Sequence, residues 1–132
     1  MPRSEFGRFL ARSFTALEHE HRSAYLRTCR ALAGRSVQIE IDAPAVLARF
    51  SASAVSVSDA DAAGDLTLGT DKSTVFDLID GKLTLLEAIR SDRMELRGSV
   101  ESVADFHDAL MIYLDGAVRS PSFPDLLTDY RR

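Results

Sequence analysis

Three histidines, twenty carboxylate side chains and one cysteine are the groups with which this 132-residue chain could do chemistry. An imidazole is the usual general base near neutral pH, so His19, His21 and His107 come first. His19 and His21 stand two apart in Glu18-His19-Glu20-His21. Helical residues two apart point in different directions and do not converge on a metal. His107 stands beside Phe106 and one turn before Leu110 and Met111, at the edge of an apolar helical face. There it reads either as a partly buried histidine bonded to backbone or water, or as a polar contact inside a pocket. Asp65, Asp71, Asp77, Asp80, Glu87, Asp105, Asp108 and Asp115 would make an acid–base pair only if two were buried together. Most of them fall at caps, turns or polar helix faces, where a solvated carboxylate belongs. Cys29 lies near the apolar face of a helix with no histidine at a suggestive spacing, which points to packing. No Gly-x-Ser-x-Gly elbow, Gly-x-Gly-x-x-Gly fingerprint or Walker loop occurs. No catalytic residue, metal or cofactor is therefore expected.

Composition narrows the partners. A net charge of −4 with interspersed signs creates no broad positive field, so nucleic acid is not expected as a partner. A single cysteine excludes an intramolecular disulfide and a cysteine-rich metal site, and fits a reducing cytoplasm. No run approaches the ~18 apolar residues of a membrane span. Met1-Pro2-Arg3-Ser4-Glu5 leads into an amphipathic segment instead of a signal-peptide core. Hydrophobic content of 45% with 27% charged residues describes a chain that folds.

The elements that must position any site follow from periodicity. Phe6, Leu10, Phe14, Leu17, Tyr25 and Leu32 share one helical face, predicting a helix from Ser4 to Ala33 that bends or breaks near Glu18 to His21. Ser4 is its N-cap and Gly34 its C′ residue. The period then falls to two: Val37, Ile39 and Ile41 alternate with polar residues, Asp42-Ala43-Pro44 turns, and Ala45–Ser51 and Ala54–Ser58 read as further strands. Asp59 to Gly64 is the clearest loop and looks dispensable. Asp65–Thr70 is a fourth strand, Lys72–Asp80 and Leu83–Ser91 are short helices, and Met94–Arg97 is a fifth strand. A last long helix from Val100 ends near Gly116. Pro121 and Pro124 leave Asp125–Tyr130 at most one or two helical turns. The layout is α+β: one domain over residues 1–120 and a C-terminal tail over 121–132.

Apolar residues are in excess on the two short helices and the last helix, which suits either a plain core or a ligand cavity. The ordered set Asp65 to Asp71, Phe76-Asp77-Leu78-Ile79-Asp80-Gly81-Lys82, Ala88-Ile89 and Arg93-Met94-Glu95-Leu96-Arg97-Gly98 resembles the SCP-2 sterol-transfer (sterol carrier protein 2) family. In that family a strand leads to a short helix ending in Gly-Lys. A second helix carries an Ala-aromatic or Ala-aliphatic pair, and a basic residue opens a strand that closes with Gly. The resemblance covers Asp65 to Val118, with a compatible helix-plus-strands layout before it. It implies a five-stranded, mainly antiparallel sheet covered on one side by helices, with a hydrophobic tunnel that accepts sterols, fatty acids or acyl-CoA. The chain departs from the family in carrying Leu85 where Pro often follows the Gly-Lys turn, and Asp92 where Gly often precedes the basic residue.

Phe50, Phe76, Ile79, Leu83, Leu86 and Ile89 are thus expected to bind the ligand. Phe106, His107, Leu110, Met111 and Leu114 join them from the last helix. The expected function is to bind or carry a small hydrophobic, lipid- or sterol-like molecule. One alternative is an enzyme or accessory protein of bacterial specialised metabolism holding a hydrophobic intermediate, with His107, Tyr113 and Asp108 as its candidate groups. Another is an interaction module built on the first helix, presenting Phe6, Phe9 and Phe14.

Overall fold

The computed structural model describes residues 2–41 and 43–132; Met1 and Asp42, the first residue of the expected turn, lie outside them. Helix α1 (Glu5–Glu20) is capped by Ser4, whose Oγ accepts from the Gly7 N–H at 3.0 Å. The long helical pattern does break, at His21 (φ −148°, ψ 65°), and α2 (Arg22–Ala31) starts afresh there. Folding back lets both helices bury their apolar sides in one core: Phe6, Phe9, Leu10, Phe14 and Leu17 from α1, Ala24, Tyr25 and Cys29 from α2. Gly34 (φ +79°) takes the left-handed conformation that ends the helical region.

Five strands follow the predicted order: β1 (Ser36–Glu40), β2 (Val46–Phe50), β3 (Val55–Asp59), β4 (Leu66–Gly69) and β5 (Glu95–Arg97). In space they run β3-β2-β1-β4-β5, antiparallel except for the central β1–β4 pair. The register sets Val37 between Ala48 and Leu66, and Ile39 between Val46 and Leu68. Because side chains alternate across a pleat, one face of the sheet becomes a continuous apolar patch facing the helices.

The loop after β3 is not dispensable. Strands β3 and β4 run the same way on opposite sides of β2 and β1, so residues 60–65 must cross two strands. That distance is three strand spacings, roughly 14 Å. The crossing runs over the outer face, where Asp61 pairs with Arg49 at 2.7 Å and the Gly64 N–H donates to Gln38 Oε1 at 3.3 Å. It shelters Leu47, an outward-pointing neighbour of both positions that is only 1% exposed.

Helix α3 (Lys72–Ile79) is capped by Asp71. Helix α4 (Leu85–Arg90) begins two residues later than the sequence reading placed it. Thr84 and Glu87 form a reciprocal capping box that fixes the start and leaves Leu83 outside the helix. Helix α5 (Val100–Ala117) is capped by Ser99.

Residues 121–132, expected as a tail with at most one or two helical turns, contain a nine-residue helix, α6 (Phe123–Arg131), with Phe123, Leu126 and Tyr130 buried. Pro124 does not break it, because proline fits the first helical turn, where backbone N–H groups have no helical partner. Tyr130 stacks on Phe9 at 4.7 Å and lies under Lys72 Nζ at 4.6 Å, while Arg131 pairs with Asp80 at 2.8 Å. These contacts tie α6 to α1 and α3.

Candidate functional site

Between the sheet and the helices lies one apolar cavity of about 120 Å³. Its floor is the inner face of the sheet: Val37, Ile39 and Ile41, then Ala48 and Phe50, then Leu68. Phe6, Phe9, Leu10 and Phe14 of α1 form one wall. Val75, Leu78 and Ile79 of α3 and Phe106, Ala109, Leu110, Tyr113 and Leu114 of α5 form the others. Thr28, Leu32, Thr70 and Met94 complete it. The lining residues of α3, with Leu110, Leu114, Ile41 and Thr70, are half-buried, whereas those of α1, α2 and the central sheet are buried. The cavity thus approaches the surface between α3 and α5.

The structure brings five of the expected binding residues together here: Phe50, Ile79, Phe106, Leu110 and Leu114. The other six lie elsewhere. Phe76 faces outward from the cavity, under the Arg131 guanidinium at 4.4 Å and beside the Tyr130 ring at 5.3 Å. Leu83 and Ile89 pack on the core without reaching the cavity, and Leu86 and Met111 are 56% and 53% exposed. His107 is exposed, its Nδ1 3.5 Å from the exposed carboxylate of Asp108.

The reason is helical phase. On α5 the lining positions Phe106, Ala109, Leu110, Tyr113 and Leu114 recur at three- and four-residue steps; His107 and Met111 are one residue, about 100° of rotation, off that stripe. On α4 the buried pair is Leu85 and Ala88, which leaves Leu86 and Ile89 one position out of phase. The sequence reading missed the α1 wall and, apart from Phe50, the sheet floor as parts of the site. The signal was present in the Phe6-Leu10-Phe14 stripe and the Val37-Ile39-Ile41 alternation, but a core and a cavity give the same pattern.

The trio His107, Asp108 and Tyr113 is not assembled. Tyr113 is buried in the cavity wall, with its hydroxyl 2.6 Å from Ser13 Oγ, while His107 and Asp108 face solvent. Burial pushes the Tyr113 phenol up to about 12 against the opposing hydrogen bond to Ser13, so the ring stays neutral. The two threonines in the lining are also bonded internally, Thr28 to the Ala24 carbonyl at 2.8 Å and Thr70 to the Arg93 carbonyl at 2.9 Å. Cys29 is fully buried, and desolvation raises its thiol pKa, as befits a packing residue. Among the described residues no group of three or more His, Cys, Asp or Glu side chains could hold a metal ion. No helix among them is long and apolar enough to cross a membrane.

A mixed five-stranded sheet closed by helices over an apolar cavity is the architecture of an α+β carrier-type domain. The SCP-2 sterol transfer family model matches residues 14–111, and the chain belongs to that family. Among solved structures it is similar to a "UbiJ-SCP2 Ubiquinone synthesis protein": TM-score 0.61, 22% identity, over 81% of this chain and 88% of that one. It is also similar to a sterol carrier protein 2 (TM-score 0.59, 18% identity, 84% and 93% covered). A Thermus thermophilus protein described as possibly a sterol carrier protein gives a TM-score of 0.54 at 18% identity, with 86% and 90% covered. These likenesses are of fold. No curated protein matches the sequence.

Proposed function

We propose that the protein binds and carries a small hydrophobic molecule in the cavity between sheet and helices. The observation that carries this reading is the lining: aliphatic and aromatic side chains, with every polar side chain among them already hydrogen-bonded to the protein. Water gains few partners in such a space, whereas an apolar guest gains about 25 cal/mol per Å² of surface removed from water. The volume suits a compact guest, since a comparable apolar cavity of roughly 150 Å³ holds benzene. A sterol or long acyl chain would require the cavity to widen, most readily at its half-buried rim of α3 residues with Leu110 and Leu114. The buried single thiol fits a reducing, cytoplasmic setting.

The same cavity also supports an accessory role in which a hydrophobic intermediate is held for other enzymes. The likeness to a ubiquinone synthesis protein favours that variant of the carrier reading. Native mass spectrometry of the purified protein and displacement of a fluorescent apolar probe test both. Ala109, 2% exposed and part of the lining, is the point at which to fill the space. Ala109→Phe should abolish probe binding while circular dichroism still reports the fold. If the unaltered protein carries no apolar molecule and binds no probe, the reading fails.

A further inference from the structure

Helix α5 is apolar on two opposite sides. Its inner side packs on the core and lines the cavity. The side turned away from the core carries Val100, Ala104, His107, Met111 and Val118, all exposed, with half-buried Leu114 at its edge. Val100 is 87% exposed, Met111 53% and Val118 59%, on the side where a surface helix ordinarily presents charge. From Val100 to Val118 these positions follow one another at steps of four, three, four, three and four residues. That alternation is the seam of a coiled coil. His107 and Met111, out of phase with the cavity stripe, are in phase with this outer one.

The two flanks of the seam differ. Val103, Leu110 and Ala117 border it on one side and are turned into the chain's own core. Glu101, Asp108 and Asp115 border it on the other, seven residues apart and all exposed. No lysine or arginine occurs within α5. Arg119, just past its end, reaches Asp115 at 3.3 Å, and Asp105, beyond the acidic row, is held by Arg35 at 3.0 Å. An approaching helix therefore meets an apolar strip roughly 27 Å long with a negative row along one edge.

This asymmetry selects the occupant. Two copies of α5 paired antiparallel would set one acidic row against the other, which is repulsive. Paired in parallel, each acidic row would face Val103, Leu110 and Ala117 of the other copy, which offer no charge and are already engaged. Anionic lipid is repelled by the same carboxylates. We propose that the outer face of α5, from Val100 to Val118, docks a basic amphipathic helix of another protein, whose lysines or arginines lie against Glu101, Asp108 and Asp115. The proposal is independent of what the cavity holds. Leu110 and Leu114 belong both to the cavity lining and to the border of the seam, so the partner docks beside the cavity.

Three synthetic peptides about four heptads long test it against the full chain by fluorescence anisotropy. The first has leucine at both seam positions and lysine on both flanks, the second has glutamate on the flanks, and the third has the composition of the first in scrambled order. The lysine peptide should bind roughly tenfold or more tightly than either other, and added salt should weaken it. Replacing the row by Glu101→Lys, Asp108→Lys and Asp115→Lys together should transfer the preference to the glutamate peptide. Met111→Asp should abolish binding, with circular dichroism reporting the fold. Should a variant unfold, amide shifts of the unaltered protein on adding the lysine peptide decide the matter: they should cluster along Val100 to Val118. Equal binding of the three peptides, shifts clustered elsewhere, or a preference for lysine that survives the charge reversal would overturn the proposal. So would a dimer in light scattering, or binding to phosphatidylcholine vesicles, that Met111→Asp removes; these would make the occupant a second copy or a lipid surface.

Discussion

Tyr113 packs into the cavity wall and bonds α5 to α1 through Ser13. Its raised pKa also couples it to stability. Below the ordinary tyrosine value of 10 the phenol is neutral in folded and unfolded chains alike, and its contribution is fully present. Between 10 and about 12 the unfolded chain releases the proton while the folded one retains it, so stability falls as pH rises through that window. Tyr25, pushed upward by burial in the same sense, adds to the loss. Urea midpoints measured from pH 9 to 12 should therefore decline beyond pH 10, with Tyr113 supplying roughly 2–3 kcal/mol of the drop. A flat profile would remove this account of Tyr113. Asp92 is a second residue whose role the structure clarifies. Its φ of +60° lies in the left-handed region, which suits glycine and which aspartate tolerates better than most residues. The departure from Gly noted in the sequence thus keeps the turn geometry that Gly serves.

At the scale of elements, close approach decides what varies freely. Helices α2 and α5 meet at Gly116, where an added Cβ would stand 2.5 Å from the Ala24 Cβ and 2.9 Å from Leu17 Cδ1. Neither neighbour has room to withdraw in a packed interior. Gly116→Ala should cost about 1–3 kcal/mol in chemical denaturation despite its better helix propensity. A stabilised variant would show that the two helices can separate. Most elements were legible because their periods are unambiguous: two over Val37 to Ile41, three and four over Phe106 to Leu114. The break at His21 was legible from length alone. Helix α6 was legible only as one or two turns, since Pro121 and Pro124 look like terminators until one knows that Pro124 falls in a first turn. The site was half legible. Stripe positions such as Phe106 and Leu110 were found, whereas His107 and Met111 were drawn in by adjacency. The floor residues Ala48 and Leu68 carry no mark that separates a cavity lining from a core.

Over the whole molecule, the fold is closed by contacts between distant parts of the chain. Ser13 and Tyr113 are 100 residues apart, Glu20 bonds the Ser122 backbone N–H at a separation of 102, and β1 waits for β4 before the centre of the sheet exists. At a synthesis rate of ~5–20 residues per second, α1 leaves the ribosome roughly 5–20 seconds ahead of the α5 surface it needs. Throughout that interval Phe14 lacks Tyr113, and Phe9 lacks Phe123 and Tyr130. A stalled nascent chain with residues 1–98 outside the ribosome should be cleaved readily by protease, and one extended through Arg132 should resist. Resistance at the shorter length would mean that the sheet and first helices form a stable unit by themselves. The Tyr113–Ser13 bond joins two walls of the cavity and is among the later contacts that the order of synthesis permits, so the molecule acquires its apolar cavity only as its folding ends.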